Sequence, residues 1–411
     1  MESNCDMRAE TCVILCSAYP YSATGTAYAV RSILPVAVEL FNKVEYVAVS
    51  AEDRSEQETG EWAACVNFRH VPANVSPKWL RFAKSLFSKW PATTQRYVNP
   101  SLPQTLRKCS EDHDGKPVLL VLDAPLYWPL LSDPLLGEKF SAVILWGQNV
   151  ISDAFSGVIE GIGGLQRFSW LWEIERLRKY EKRVLGHADW VWSITDHDQG
   201  RFLELFDCTV DGVLGVSLDA DRFETPIVGS QDSILYLGSF DIRKSLGITK
   251  FVTQVFPRLR ENRRELSLWL GGKGSQDFDQ IVEGVHGLGF VEDEMKFIER
   301  GLIFVNPQES GSGIKLKSLH ALAAGKVLLT TPVGVQGIPG ESGRDFLVAE
   351  RVEEMADTLL KVFSDGTDLE SIASNGRALA MRLYGGNGQL ERARELFQEV
   401  LESLPRGSKS L

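Results

Sequence analysis

The chain is 411 residues long, 44% hydrophobic and 24% charged, with a formal net charge of −11. That length is too great for one ordinary core and suits two domains of about 200 residues each. The acidic balance argues against a dedicated nucleic-acid binder, which carries a basic footprint, and no run approaches the ~20 apolar residues of a membrane span.

Met1–Glu10 carries acids and the apolar run Cys12–Ala18 is short, so the N-terminus does not read as a secretion signal. Cys5, Cys12, Cys16, Cys65, Cys109 and Cys208 form no C-x-x-C pair and read as free thiols in a reducing compartment. The expected location is the cytoplasm, with peripheral association at the inner membrane face left open.

Short apolar runs alternate with helical periodicity, the signature of parallel α/β units. In the first half, Thr11–Cys16 reads as a strand, followed by a glycine-containing loop, a helix near Tyr28–Phe41 and a strand at Val44–Val49. Further strands are expected at Val118–Leu122, Ala142–Trp146 and Trp190–Ile194. Between the last two, Trp170–Leu185 predicts an amphipathic helix with Leu171, Ile174, Leu177, Tyr180 and Val184 on one face. Val213–Asp232 has little periodicity and reads as a linker between a domain of 1–212 and one of 233–387. Beyond it, strands are expected at Ser233–Leu237, Leu266–Leu270, Leu302–Val305 and Val327–Thr330. Helices are expected near Thr249–Arg260, Ile314–Ala324 and Val352–Ser364. A final helix within 388–411 is expected to cross back to the first domain.

The strongest chemical signal is Glu309-Ser310-Gly311-Ser312-Gly313-Ile314-Lys315-Leu316-Lys317, running into Ser318–Gly325 after an expected strand. Ser312 is placed as the helix N-cap and Gly325 just past its end. Glycines at a strand-to-helix turn let backbone N–H groups approach an anion, and the helix dipole favours negative charge there. Lys315 and Lys317 stand in a first turn that normally prefers acids. They ask for an anion such as a diphosphate, or they are simply solvated. Three more loops follow expected strands: Ser22–Thr26, Gly238–Lys244 and Gly271–Ser275. The carboxyl ends of strands are where α/β proteins bind ligands.

Gly238–Lys244, Gly271–Ser275, Gly289–Asp293 and Gly311–Gly325 with Thr331–Gly337 occur in this order. Together they resemble the C-terminal half of retaining glycosyltransferases of family four, nearest to bacterial transferases for exported polysaccharide. More weakly, the resemblance continues through Pro20–Gly25, Gln148-Asn149-Val150, Glu173–Asp198 and Gly215–Asp219. It implies the GT-B fold, two Rossmann-like parallel-sheet domains facing across a cleft, and transfer of a sugar from a nucleotide-diphosphate donor to a glycan or lipid-linked acceptor. It further implies retention and no metal or other cofactor.

Residue by residue, the resemblance places Gln148, Arg243, Lys244 and Lys315 in catalysis. Donor binding falls to Gly25, Gly238, Ser239, Gly272, Ser312, Gly313, Ile314, Lys317 and His320. Two positions depart from the family pattern. His320 stands where a glutamate grips the ribose hydroxyls, and Gln148-Asn149 stands where a histidine precedes the asparagine. A catalytically silent relative that binds a nucleotide-sugar or glycan as a partner subunit is therefore kept as an alternative. On this reading, His320→Glu should tighten nucleotide binding.

From Ser76 to Lys108 there is no Asp or Glu, and Lys78, Arg81, Lys84 and Lys89 interleave with Trp79, Phe82, Leu86, Phe87 and Trp90. A helix over 76–90 would suit an anionic membrane surface or a core edge with solvated lysines. His70, His113, His187, His197 and His286 read as structural or surface residues, and Asp196 or Asp198 as a helix cap or a cleft residue.

Overall fold

The computed structural model describes residues 9–22, 24–55, 62, 64–113, 115–156, 163–219, 221–223, 229–238, 240, 245–311, 313–385 and 387–404. The chain separates into two compact units, one of 1–217 with 387–411 and one of 218–386. Residues 213–217 of the expected linker lie in the first unit, and 230–232 already belong to the first strand of the second.

The first unit is a seven-stranded parallel sheet of β1 (Ala9–Cys16), β2 (Phe41–Ser50), β3 (Val66–Pro72), β4 (Val118–Leu122), β5 (Ala142–Gly147), β6 (Trp190–Ser193) and β7 (Gly212–Val213). Their order is β3-β2-β1-β4-β5-β6-β7. The central strands β4 and β5 are buried at every position. That is why they read as unbroken apolar runs rather than alternating ones. The helix Gly25–Leu40 follows β1, capped by Thr24, whose hydroxyl accepts the Ala27 N–H at 3.2 Å. Beyond β6, the Thr195 hydroxyl accepts the Asp198 N–H at 3.0 Å and donates to the Asp198 carboxylate at 2.5 Å. Thr195 is thus the cap of the helix Asp196–Phe206, not either aspartate.

The final helix, Gly388–Ser403, completes this unit. Phe397 packs edge-on against Phe41 and Trp192, with ring centroids 5.5 and 5.3 Å apart. The Gln389 side chain accepts the Gly215 N–H at 2.9 Å, and Arg394 pairs with Glu39 at 2.6 Å.

The second unit holds six parallel strands: β8 (Ser230–Leu237), β9 (Ser267–Gly271), β10 (Val285–Gly287), β11 (Gly301–Asn306), β12 (Val327–Thr330) and β13 (Leu347–Val348). Their order is β10-β9-β8-β11-β12-β13. Both sheets change direction of winding, between β1 and β4 and between β8 and β11. In such sheets the ligand crevice opens beyond the carboxyl ends of the strands at that switch point. The helix expected at Thr249–Arg260 runs as Ser245–Lys250, a π turn at Phe251–Val255 and Phe256–Asn262. Pro257 offers no N–H to continue the preceding pattern.

Among the described residues no helix is long and apolar enough to cross a membrane. Cys12, Cys16, Cys65, Cys109 and Cys208 are free thiols.

Candidate functional site

In the second unit the residues around the switch point come from the loops after β8, β9, β11 and β12. Gly238 follows β8, and its N–H donates to the Gly271 carbonyl at 3.0 Å. Gly272 follows β9 with φ of +122°, and a Cβ there would lie 1.9 Å from the Gly238 carbonyl oxygen. Only a residue without a side chain permits that approach. The Gly272 N–H continues the chain of contacts to the Gly289 carbonyl at 2.7 Å. A Cβ on Gly238 would lie 3.3 Å from the Lys317 ammonium, so Gly238, Gly272 and Lys317 are one group. The Lys317 Nζ donates to the Tyr236 hydroxyl at 3.3 Å and sits 4.8 Å from the centre of its ring.

The glycine turn after β11 does not open the helix where the sequence suggests. The helix is Leu316–Ala323 and its N-cap is Lys315, which makes no side-chain capping bond. Ser312, the expected cap, lies outside the described residues. Gly311 and Gly313 both take positive φ, +128° and +70°. Neither angle is helical, and the first helical residue is Leu316. Lys315 is buried, and its Nζ donates to the Gly313 carbonyl at 2.6 Å and to Gln336 Oε1 at 3.2 Å.

At the far end Gly325 takes φ of +72°, and the Lys326 N–H bonds the Ala321 carbonyl at 3.0 Å, a Schellman closure. Leu319, Leu322 and Ala323 are buried as the pattern requires. Asn306 at the end of β11 donates to the Ser318 hydroxyl at 2.7 Å, which donates to the Gly334 carbonyl at 2.6 Å. Asn306 and Ser318 thus fasten the helix to the loop after β12, a positioning role that spacing does not reveal.

His320 is buried on this helix, packed on Phe223 with ring centroids 5.6 Å apart. Its Nδ1 stands 3.3 Å from Glu294 Oε1, and Arg222 pairs with the other carboxylate oxygen at 2.5 Å. Burial raises the Glu294 carboxyl, but His320 and then Arg222 outweigh it and hold it below the ordinary carboxylate range. A carboxylate thus stands beside position 320 after all, delivered from the helix Glu294–Ile298. This gives His320→Glu a consequence for stability apart from nucleotide binding. The variant sets two carboxylates face to face and should lose about 1.5–3 kcal/mol of stability at neutral pH, the worth of a charge-assisted bond. Adding Glu294→Gln should recover it. Urea melts at pH 7.5 decide, and a single variant as stable as the parent would remove the pairing.

In the first unit Gly25 opens the helix after β1, at the switch-point side. Gln148 follows β5, and its side-chain nitrogen is buried with no hydrogen-bond partner among the described residues. Glu181 anchors the next turn, accepting the N–H groups of Ile151 at 2.7 Å and Ser152 at 3.1 Å. Burial pushes its carboxyl up to about 7. Asp123, at the end of β4 beside Gln148, did not stand out in the sequence. It takes φ of +81°, rare for a residue with a side chain. Burial pushes its carboxyl up to about 7, against a smaller lowering by the Gln148 backbone N–H. A strained residue with a displaced carboxyl at a sheet switch point is a functional candidate. Ser239, Arg243 and Lys244 lie outside the described residues.

Residues 231–365 match the family model of glycosyl transferases, group 1. A curated relative, an uncharacterized 44.6 kDa protein in the cps region of Klebsiella pneumoniae, is 21% identical over 165 residues, 37% of this chain and 42% of the relative's own length. The structure is similar to sucrose-phosphate synthase from Thermosynechococcus elongatus, with a TM-score of 0.65 at 14% identity over 96% of this chain and 100% of that one. It is likewise similar to HepE of Anabaena in complex with UDP, with a TM-score of 0.63 at 13% identity over 96% and 100% of the two chains. A glycosyltransferase from Rickettsia africae gives 0.64 at 13% identity over 96% and 99%. Residues 231–365 of the second unit are thus similar to the glycosyl transferases group 1 family, and the chain as a whole has the GT-B fold.

Proposed function

We propose that the chain transfers a sugar from a nucleoside-diphosphate donor to a hydroxyl of a glycan or lipid-linked acceptor. The observation that carries this reading is the group of Lys317, Gly238 and Gly272 at the switch point of the second unit, with Lys315 at the N-cap of the helix that bears Lys317. Two cations and closely approaching backbone suit a diphosphate, whose charge grows as the sugar leaves. Stabilising that charge in place is the larger part of such catalysis. Lys315, buried beside the first helical turn, acts on the departing phosphates, and Lys317 holds them in the ground state. HepE binds UDP by its description, which favours a uridine donor. The cps-region relative favours polysaccharide or glycoconjugate synthesis. Retention and independence of a metal ion belong to the same reading.

A thermal-shift screen of nucleoside diphosphates tests the donor. A ligand at a hundred times its Kd adds about 2.7 kcal/mol, several degrees of Tm for domains of this size. Hydrolysis of the matching sugar conjugate, followed by anomer assignment and repeated in EDTA, tests turnover, retention and the metal. No shift with any diphosphate would overturn the reading. A second reading, binding without turnover, is favoured by the engagement of His320 with Glu294 where the family holds a ribose-gripping carboxylate. A shift without hydrolysis or transfer would decide for it.

A further inference from the structure

Half of the fourteen large apolar side chains that stand exposed among the described residues lie in two short segments of the first unit, 75–87 and 168–172. The helix Lys78–Leu86 turns its Trp79 and Leu86 side outward. Trp79 is 71% and the following Phe87 94% exposed. On its inward side Ser85 is buried and Leu80 and Phe82 are half-buried, so the helix carries apolar side chains on both sides. The second segment opens the helix Gly164–Leu185. Ile174, Leu177, Tyr180 and Val184 are buried as the pattern requires, whereas Phe168 is 77% exposed, and Leu171 and Trp172 stand out beside it. Leu171 thus leaves the apolar face on which the sequence placed it.

The two segments are joined. Arg176 donates to the carbonyls of Ser88 at 2.8 Å and Trp90 at 2.9 Å, and its guanidinium lies 4.5 Å from the Trp172 ring. The carboxylate of Glu173, on the same turn, accepts the Ala92 N–H. Monomeric proteins rarely leave apolar side chains of this size gathered in the open.

The charge around them is one-sided. No Asp or Glu occurs from Ser76 to Lys108 in a chain of net charge −11. Lys84, Lys89 and Arg167 are exposed beside the apolar side chains. Of the acids nearest on the second helix, Glu173 is buried and paired with Arg176 at 3.3 Å, and Glu175 is paired with Lys179 at 3.5 Å. Aromatic side chains flanked by cations fit the boundary between headgroups and acyl chains of an anionic bilayer.

We propose that this two-helix face docks the protein on an anionic lipid bilayer, with Trp79, Phe87 and Phe168 entering the interface and Lys84 and Lys89 pairing with headgroups. The proposal stands apart from the donor chemistry and survives its failure.

The test is flotation of the full chain with vesicles of phosphatidylcholine alone or with phosphatidylglycerol. Binding is expected only with the anionic lipid and should weaken with salt. Each lysine near the surface is worth roughly fivefold in partition, so Lys84→Glu with Lys89→Glu should weaken binding by roughly 25-fold or more. Trp79→Ser with Phe87→Ser should abolish it. Leu135→Ser, an exposed apolar position elsewhere on the unit, should change nothing. Both pairs should keep the parent far-UV spectrum and nearly the parent Tm, since Trp79 and Phe87 are mostly exposed and Lys89 gives up only the contact of its ammonium, 4.6 Å from the centre of the Trp90 ring. Flotation indifferent to lipid charge, or unchanged by both pairs, overturns the proposal. So does light scattering that shows a dimer which Trp79→Ser with Phe87→Ser dissociates, because the face would then belong to a second copy.

Discussion

Lys315→Ala should lower kcat/KM for sugar transfer by roughly 10²–10³, the usual loss when one preorganised donor to a developing charge is removed. The expectation follows from position more than from charge alone. Lys315 is buried, its ammonium is held by the Gly313 carbonyl and Gln336, and it occupies the N-cap of the helix after β11. A cation fixed there needs no reorganisation as charge builds on the leaving phosphate. Lys317 leans on Tyr236, and its replacement by alanine should cost about tenfold, mostly as weaker donor binding. The split between the two variants is the informative measurement: kcat should fall for Lys315→Ala and KM rise for Lys317→Ala. A Lys315→Ala protein with the parent Tm and unchanged kcat/KM would remove this residue from the chemistry.

Asp123→Asn should be more stable than the parent at pH 8 and no more stable at pH 4. The carboxyl is displaced from its ordinary 3.8 to about 7 by burial. A folded-state pKa raised above the unfolded one gives stability that is fully present below the unfolded value and is lost as pH rises through the folded value. The loss should therefore run from about pH 4 to pH 7. At 1.36 kcal/mol per pH unit its ceiling is about 4 kcal/mol, and because Asp123 is only partly shielded from solvent, about 2–4 kcal/mol is expected. Asparagine removes the titration, and it tolerates positive φ better than most residues. Urea melts of both proteins across this range check the curve, and an equal difference at pH 4 and pH 8 would refute the assignment. If the carboxylate serves transfer, the same variant trades activity for stability.

The parts of this molecule that were legible in its sequence are those whose cause is local. β4 and β5 are apolar at every position because both faces are covered. The turns at Gly272, Gly313 and Gly325 announce themselves because only glycine takes those conformations cheaply. β3 was missed because it is an edge strand bearing Asn67, Arg69 and His70, and the first two of these bind Glu45 across the sheet. Asp123 and Glu294 were missed for a related reason. Each is one acid among 55, and what distinguishes it is a neighbour distant in sequence or a backbone angle. The helix start was misplaced because Ser312 suits a cap by composition, while the two left-handed glycines around it decide where the turn can begin.

The discontinuity of the first unit has a consequence for how the chain is made. Phe41 and Trp192 are covered by Phe397, and the Gly212 backbone meets Leu396 so closely that a Cβ would lie 2.4 Å from it. These partners are synthesised only after residues 218–386. At translation rates of roughly 5–20 residues per second, the gap lasts on the order of ten to thirty seconds. During that interval the nascent first unit must keep an aromatic seam unsealed while the second unit, continuous in sequence, can already close. Vectorial synthesis therefore favours folding of the later half before the earlier one is complete, with the helix Gly388–Ser403 acting as the latch.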